Sequence, residues 1–182
     1  LERPLIFNNN DRPGIMLSSA IKKYADYYGV ACGKKNIFFT NNDTAYESAI
    51  SLNKKGIKVE AIIDIREQSN TAFTKEAEDL GIKVYRSHTV VDTEGYKKIN
   101  KITIMELSSD GQSFASLTKI ELDCDCLAIS GGWTPAVHLF TQSGGKLTFD
   151  ETNKVFLPNK YPSDQLSVGS CNGDFNIKEI IS

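Results

Sequence analysis

Between Asn36 and Asp64 the chain alternates in a pattern that few folds can satisfy. Asn36-Ile37-Phe38-Phe39 is a compact apolar run of strand length. Thr44 to Lys55 then places Ala45, Ala49, Ile50 and Leu52 on one helical face and is stopped by Gly56, after which Val59-Glu60-Ala61-Ile62-Ile63-Asp64 forms a second apolar run. Strand, helix and strand within about thirty residues is a βαβ unit, whose crossover makes the two strands parallel neighbours in a sheet covered on both faces. The spacing predicts a further helix over Asn70 to Leu80, ended by Gly81, and a third strand at Ile82-Lys83-Val84-Tyr85.

After Tyr85 the period changes from helical to two. His88-Thr89-Val90-Val91-Asp92, Ile99 to Leu107 and Leu117 to Leu122 alternate or nearly alternate, and Glu94-Gly95 and Asp110-Gly111 separate them, which predicts an antiparallel meander. Cys126-Leu127-Ala128-Ile129-Ser130 is one more buried strand, leading into the turn Gly131-Gly132-Trp133-Thr134-Pro135. Upstream, Asn8 to Gly14 is rich in turn residues and feeds Ile15 to Tyr28, where Leu17, Ala20, Ile21 and Tyr24 recur at helical spacing. The tail from Val137 to Ser182 has a turn-rich middle and a helix start after Asp174. The fold class expected is α/β, a Rossmann-like parallel sheet with an antiparallel β-meander. That order is similar to the pyridine-nucleotide domain of glutathione-reductase-like flavoproteins.

Candidate chemistry collects at the strand ends. The turn Thr40-Asn41-Asn42-Asp43-Thr44-Ala45 occupies the place where a dinucleotide fold carries G-x-G-x-x-G, with Thr40, Asn42 and Ala45 on the glycine positions. Asn42 puts a side chain where pyrophosphate approaches the backbone, and Asp43, read as a helix cap, puts negative charge where a phosphate sits. A plain capped turn and a modified nucleotide site both remain open. Asp64 ends the second strand 24 residues beyond Thr40, near the usual place of the ribose-accepting carboxylate, and Arg66 follows it. A free 2′-hydroxyl suits Asp64 and a phosphorylated ribose suits Arg66, while both also read as solvated strand-end residues. Gly131, Gly132 and Trp133 are candidates to line a cofactor groove, or a strained turn with a packing aromatic. His88 and His138 lack a nucleophile motif nearby, so no catalytic residue is assigned.

A formal net charge of -2, spread through 182 residues, gives no basic stripe for nucleic acid. No apolar run approaches the roughly 20 residues a membrane span needs. Cys32, Cys124, Cys126 and Cys171 show no CxxC pair; Cys124-Asp125-Cys126 reads as strand residues with both sulfurs on one face, and no metal site is assigned. A reduced, cytoplasmic setting is expected. The opening Leu1-Glu2-Arg3-Pro4, with neither an initiator Met nor a signal peptide, suggests an excised piece.

Four motifs in order carry a more specific resemblance: Glu2-Arg3-Pro4-Leu5-Ile6-Phe7, Asn10-Asp11-Arg12-Pro13-Gly14-Ile15-Met16-Leu17, the Thr40 to Tyr46 turn, and Ser130 to Pro135. Together they resemble the alpha subunit of heterotetrameric sarcosine oxidase. The resemblance implies an internal fragment: residues 1–34 as a crossover from a first, missing dinucleotide domain, 35–130 as an NAD-binding-like Rossmann domain, and 131–182 as the return to the first. It also implies a parent enzyme that oxidises the N-methyl group of sarcosine through flavins held elsewhere, with other subunits of the heterotetramer and the rest of its own chain as partners. NAD is the cofactor implied for the dinucleotide domains. At Val168 to Gly173 the wider group places a Gly-Asp pair toward a flavin; Ser170 stands where that Asp would be. Two other readings stand beside it: a complete, small redox or sensor module that binds a nucleotide by the Asp64 turn alone, and a non-catalytic subunit-interaction domain with a degenerate dinucleotide site, with Phe156, Leu157 and Tyr161 as its docking surface.

Overall fold

Strand β2, Asn36–Thr40, shows why the sheet must be covered on both sides, because all five of its residues are buried. Phe38 points into a core shared with three helices, while Ile37 and Phe39 point into a second core on the other face. The computed structural model describes every residue except Asn70, Ser163, 176–180 and Ser182. The start of the helix expected at Asn70 and the helix start expected after Asp174 lie partly or wholly outside the described residues. Two compact units divide the chain, Glu2–Gly132 and a second one made of Leu1 with Trp133–Ser182.

In the unit Glu2–Gly132, strands β1 (Ile15–Leu17), β2, β3 (Val59–Asp64), β4 (Lys83–Tyr85) and β8 (Cys126–Ser130) form one sheet in the order β1-β8-β2-β3-β4, every pair parallel. Helices α1 (Ser18–Tyr28), α2 (Thr44–Lys54) and α3 (Ala72–Asp79) cover one face, packing Ile21, Tyr46, Ala49, Leu52 and Ala77 onto Phe38, Ile62 and Ala128. The antiparallel meander of β5 (His88–Glu94), β6 (Lys101–Glu106) and β7 (Ile120–Asp123) covers the other, packing Val90, Ile102 and Ile104 against Phe39, Ile63 and Leu127. The expected α/β class, parallel sheet and meander are therefore all present.

Two local readings change. The apolar run Ile15-Met16-Leu17 does not open the first helix; it pairs with Leu127-Ala128-Ile129 as an edge strand, because a sheet edge offers ladder hydrogen bonds that helical periodicity alone does not reveal. Cys124 and Cys126 do not share a face. A break between β7 and β8 sends Cys124 into the meander-side core and Cys126 into the helix-side core, and burial pushes both thiols up to about 12.

The Asn-rich loop before β1 has a mechanical task. Asn8 and Asn9 each donate to the Asp92 carboxylate, Arg12 donates to the backbone and side chain of Thr93 and to the Gly95 carbonyl, and Ile99 donates to the Pro13 carbonyl. The loop thereby fastens the meander to the sheet layer. Asn9 above all, with the Thr93 amide and Asn8, draws the Asp92 carboxyl below its ordinary range against the pull of desolvation.

The other unit carries a short helix α4 (His138–Gln142) and a hairpin of β9 (Lys146–Asp150) and β10 (Val155–Lys160), none of which the sequence reading anticipated. Gly145 lies flat under the Phe140 ring, where a Cβ would come within 2.4 Å of it. Phe149 and Phe156 meet edge to face across the hairpin, and Phe156 and Tyr161 are partly exposed.

Candidate functional site

In an open parallel sheet the ligand crevice lies beyond the carboxyl ends of the strands, where the strand order reverses. Here that place is the gap between β2 and β8, since β3 and β4 lie on one side of β2 and β8 on the other. The structure brings Thr40, Asn41, Asn42, Asp43, Asp64, Arg66, Gly131 and Gly132 to this edge. Trp133 belongs to the other unit.

The turn after β2 is closed by its own side chains. The Thr40 hydroxyl accepts from the Asn42 amide and donates to the Asn42 carbonyl, both at 3.0 Å, a local ring that fixes the turn. The Asn42 side chain then spans the gap. Its Nδ2 donates to the Ser130 carbonyl and Oγ at 3.2 and 3.0 Å, and its Oδ1 accepts from the Thr44 amide at 3.1 Å and the Thr44 hydroxyl at 2.6 Å. The α2 start is thus capped by Asn42, and not by Asp43 as the residue order suggested. Asp43 adopts helical angles and turns its carboxylate away toward Arg66.

Asp64, at the end of β3, is fully buried. Its Oδ1 accepts from the Arg66 amide at 3.0 Å and Nε at 3.1 Å, while Oδ2 accepts from Arg66 Nη2 at 2.8 Å and from the Tyr46 hydroxyl at 2.9 Å. Four bonds fill the four acceptor positions of a carboxylate. Arg66 Nη2 also reaches Asp43 at 2.7 Å. Burial opposes the Arg66 charge, but the bonds to Asp64 and Asp43 outweigh it and the guanidinium is held above its ordinary value. Burial, followed by the negative charge of Asp64, pushes the Tyr46 hydroxyl up, so it stays a donor.

Gly131 and Gly132 are explained by the approach of the chain's own N-terminal segment. Gly131 donates to the Arg3 carbonyl at 2.6 Å, the Gly132 carbonyl accepts from the Arg3 amide at 2.8 Å, and a Cβ on Gly131 would come within 2.8 Å of the Pro4 carbonyl oxygen. The Ser170 segment forms a single 3-10 turn, with the Cys171 thiol donating to the Val168 carbonyl. His88 is an element of packing: its Nδ1 lies 2.6 Å from the Arg86 carbonyl oxygen and its ring meets Tyr85 edge-on.

Tyr46 and Ser130 were absent from the candidates drawn from sequence. The signal for Tyr46 lay in its place within the first turn of α2 on the apolar face, where a buried phenol must find a hydrogen-bond partner. Nothing local marks Ser130, since its role depends on β8 lying beside β2. A cavity of about 490 Å³ opens instead at the opposite, amino end of the strands, floored by Ile37, Ala61, Tyr85 and Leu122. Among the described residues no cluster of His, Cys, Asp and Glu could hold a metal ion, and no helix is long and apolar enough to cross a membrane.

A dinucleotide at the β2–β8 gap needs open amides at the helix start, bare backbone at the turn and a carboxylate with acceptor positions to spare. In the observed arrangement the residues do not fit one: Asn42 caps the amide, fills the gap, and Asp64 has no position left.

No family model matches the chain. It is 36% identical over 183 residues to the sarcosine oxidase subunit alpha of Corynebacterium sp. (strain P-1), a match covering all of this chain and 18% of that protein. Its relatives are sarcosine oxidase alpha subunits. The corresponding subunit of Rhizobium meliloti (strain 1021) is 35% identical over 156 residues, covering 86% of this chain and 14% of the relative. The chain thus spans less than a fifth of the length of the relatives it matches. Among solved structures, Lactococcus lactis thioredoxin reductase superposes with a TM-score of 0.71 at 13% identity, covering all of this chain and 58% of that one. T. acidophilum thioredoxin reductase gives 0.64 at 15% identity over 94% of this chain and 58% of the other. These likenesses show the fold, a parallel sheet covered on both faces.

Proposed function

We propose that the chain is the dinucleotide-fold module of a sarcosine oxidase-like alpha subunit, and that it serves an amine-oxidising flavoenzyme as framework and not as catalytic centre. The observation that carries this reading is identity above a third along the whole chain to a named subunit that is several times longer. The parent reaction on this reading is oxidative demethylation of sarcosine or a related secondary amine, in a cytoplasmic assembly with other subunits. No residue here is given a role in the chemistry.

NAD is the nucleotide the resemblance attaches to such a subunit, and Thr40, Asn41, Asn42, Asp43, Asp64, Arg66, Gly131, Gly132 and Trp133 are the positions that would face it. To do so the turn must first release Asn42 from Ser130 and Arg66 from Asp64. That requirement favours the second reading, a subunit-interaction domain whose dinucleotide site is degenerate, over an NAD-loaded one. Oxygen consumption in the presence of sarcosine tests the first proposal. The isolated chain, supplied with flavin, should be inactive, whereas the full-length alpha subunit assembled with its partner subunits should turn over; turnover by the isolated chain, or none in the assembly, would sink it.

A further inference from the structure

The carboxyl end of the sheet carries more hydrogen-bonding partners from within the chain than folding of the turn alone requires. Three helices begin at this edge, and each has one first-turn amide met by a side-chain acceptor of its own chain. At α1 the Glu2 carboxylate accepts from the Ser19 amide at 2.9 Å and from the Ser19 hydroxyl at 2.5 Å. At α2 the acceptor is Asn42 Oδ1, and at α3 it is the Thr71 hydroxyl, which accepts from the Thr74 amide. Helix N-termini attract anions because these amides lack intrahelical partners. Here a carboxylate, a carboxamide and a hydroxyl already stand in that role. Glu2 is brought from 17 residues before Ser19, so its placement is not a by-product of local turn geometry.

The remaining features of a nucleotide crevice are met in the same way. The guanidinium of Arg66 occupies the Asp64 carboxylate as ribose hydroxyls would, and Asp43 occupies Arg66 as a phosphate would. The Arg3-Pro4 backbone lies on Gly131 and Gly132, where a bare glycine turn would admit a cofactor. We propose that this edge is self-liganded: side chains and backbone of the chain itself fill the phosphate, ribose and glycine-turn positions, so the domain folds and holds its shape with no nucleotide bound and takes none up. This deepens the framework reading above and rests on it for the fold's ancestry, but its test requires neither amine substrate nor partner subunits.

The experiment is calorimetric and thermal-shift titration of the 182-residue chain with NAD and with NADP, alongside the double variant Asn42→Gly/Asp43→Ala. That variant bares the Thr44 amide at the α2 start, opens the gap to Ser130 and takes the Asp43 carboxylate away from Arg66 Nη2, which stays bonded to Asp64. The wild-type chain should show no saturable heat and no change in Tm with either nucleotide. The double variant, shown folded by circular dichroism, should gain saturable binding, stronger for NADP because Arg66, no longer facing the Asp43 carboxylate, then attracts the 2′-phosphate. Wild-type binding that Asp64→Asn abolishes would overturn the proposal. So would a folded double variant that still ignores both nucleotides, because the internal ligands would then not be what closes the site.

Discussion

The two ends of the parallel sheet handle charge in opposite ways. At the carboxyl end, Asp64 is fully buried and shares Arg66 with Asp43 inside a network that also includes Tyr46. At the amino end, Lys35 pairs with Asp123 and Lys101 with Glu121 along the rim of an open groove, with side chains from 30% to 67% exposed. A buried carboxylate has given up water and depends on its partners, whereas exposed pairs gain little from each other because water solvates them equally well apart. The end that this fold class uses for ligands is therefore the closed one, and the groove lies where such folds rarely bind anything.

The sharpest way to break the comparison is Arg66→Ala. It strips Asp64 of its guanidinium and leaves a buried carboxylate with only Tyr46 and the residue 66 amide. The expected loss is ~3 kcal/mol by urea unfolding, with Arg66→Lys restoring only part because an ammonium cannot serve both oxygens. A change under about 1 kcal/mol, the scale of an exposed pair, would erase the distinction between the two ends.

The amino end has its own concealed sensitivity. Cys124 and Cys126 have thiols raised from 9.0 to about 12, chiefly by burial. The folded chain therefore keeps protons that the unfolded chain releases, so stability is fully present below pH 9 and declines as pH rises toward 12. The slope is on the order of 1.4 kcal/mol per pH unit for each thiol, or roughly 2 to 3 kcal/mol for the pair at pH 10. Unfolding midpoints measured from pH 7 to 11 should fall only above pH 9, and less steeply in Cys124→Ala/Cys126→Ala. A flat profile would mean that these thiols are not buried in the folded state. A smaller effect is expected at the turn: Asn42→Ala should cost about 1 to 2 kcal/mol, the size of a lost helix cap, and Asn42→Gly should cost no more than Asn42→Ala.

How much of this was readable from residue order follows from the range of each interaction. The βαβ unit, the meander and the final strand were legible because apolar periodicity is local and the parallel arrangement follows from connection length. The turn residues were legible as an altered glycine fingerprint, since G-x-G-x-x-G is a spacing. Their state was not: Asn42 meets Ser130 because β8 lies beside β2, and Arg3 meets Gly132 because the segment before β1 bonds to the turn after β8, an adjacency across about ninety residues in one case and more in the other. The edge strand Ile15–Leu17 was misread for the same reason, its ladder partner lying at Leu127–Ile129. The hairpin Lys146–Lys160 was missed because its alternation is broken by Pro158 and its faces are only partly buried.

The comparison predicts its smallest effect at Lys35. The ammonium lies 3.3 Å from the Asp123 carboxylate, with both side chains more than half exposed. Removing it leaves Asp123 to water, at no desolvation cost, while the backbone amides of Lys34 and Lys35 remain bonded to Asp125. Lys35→Ala should therefore change stability by no more than a few tenths of a kcal/mol, and about 0.5 M NaCl should abolish even that difference. Since Arg66→Ala acts within a buried network, its larger deficit should persist in the same salt. Equal salt sensitivity of the two variants would mean that the carboxyl-end network is as solvated as the rim, and that the closed edge stays shut for a reason other than its charges.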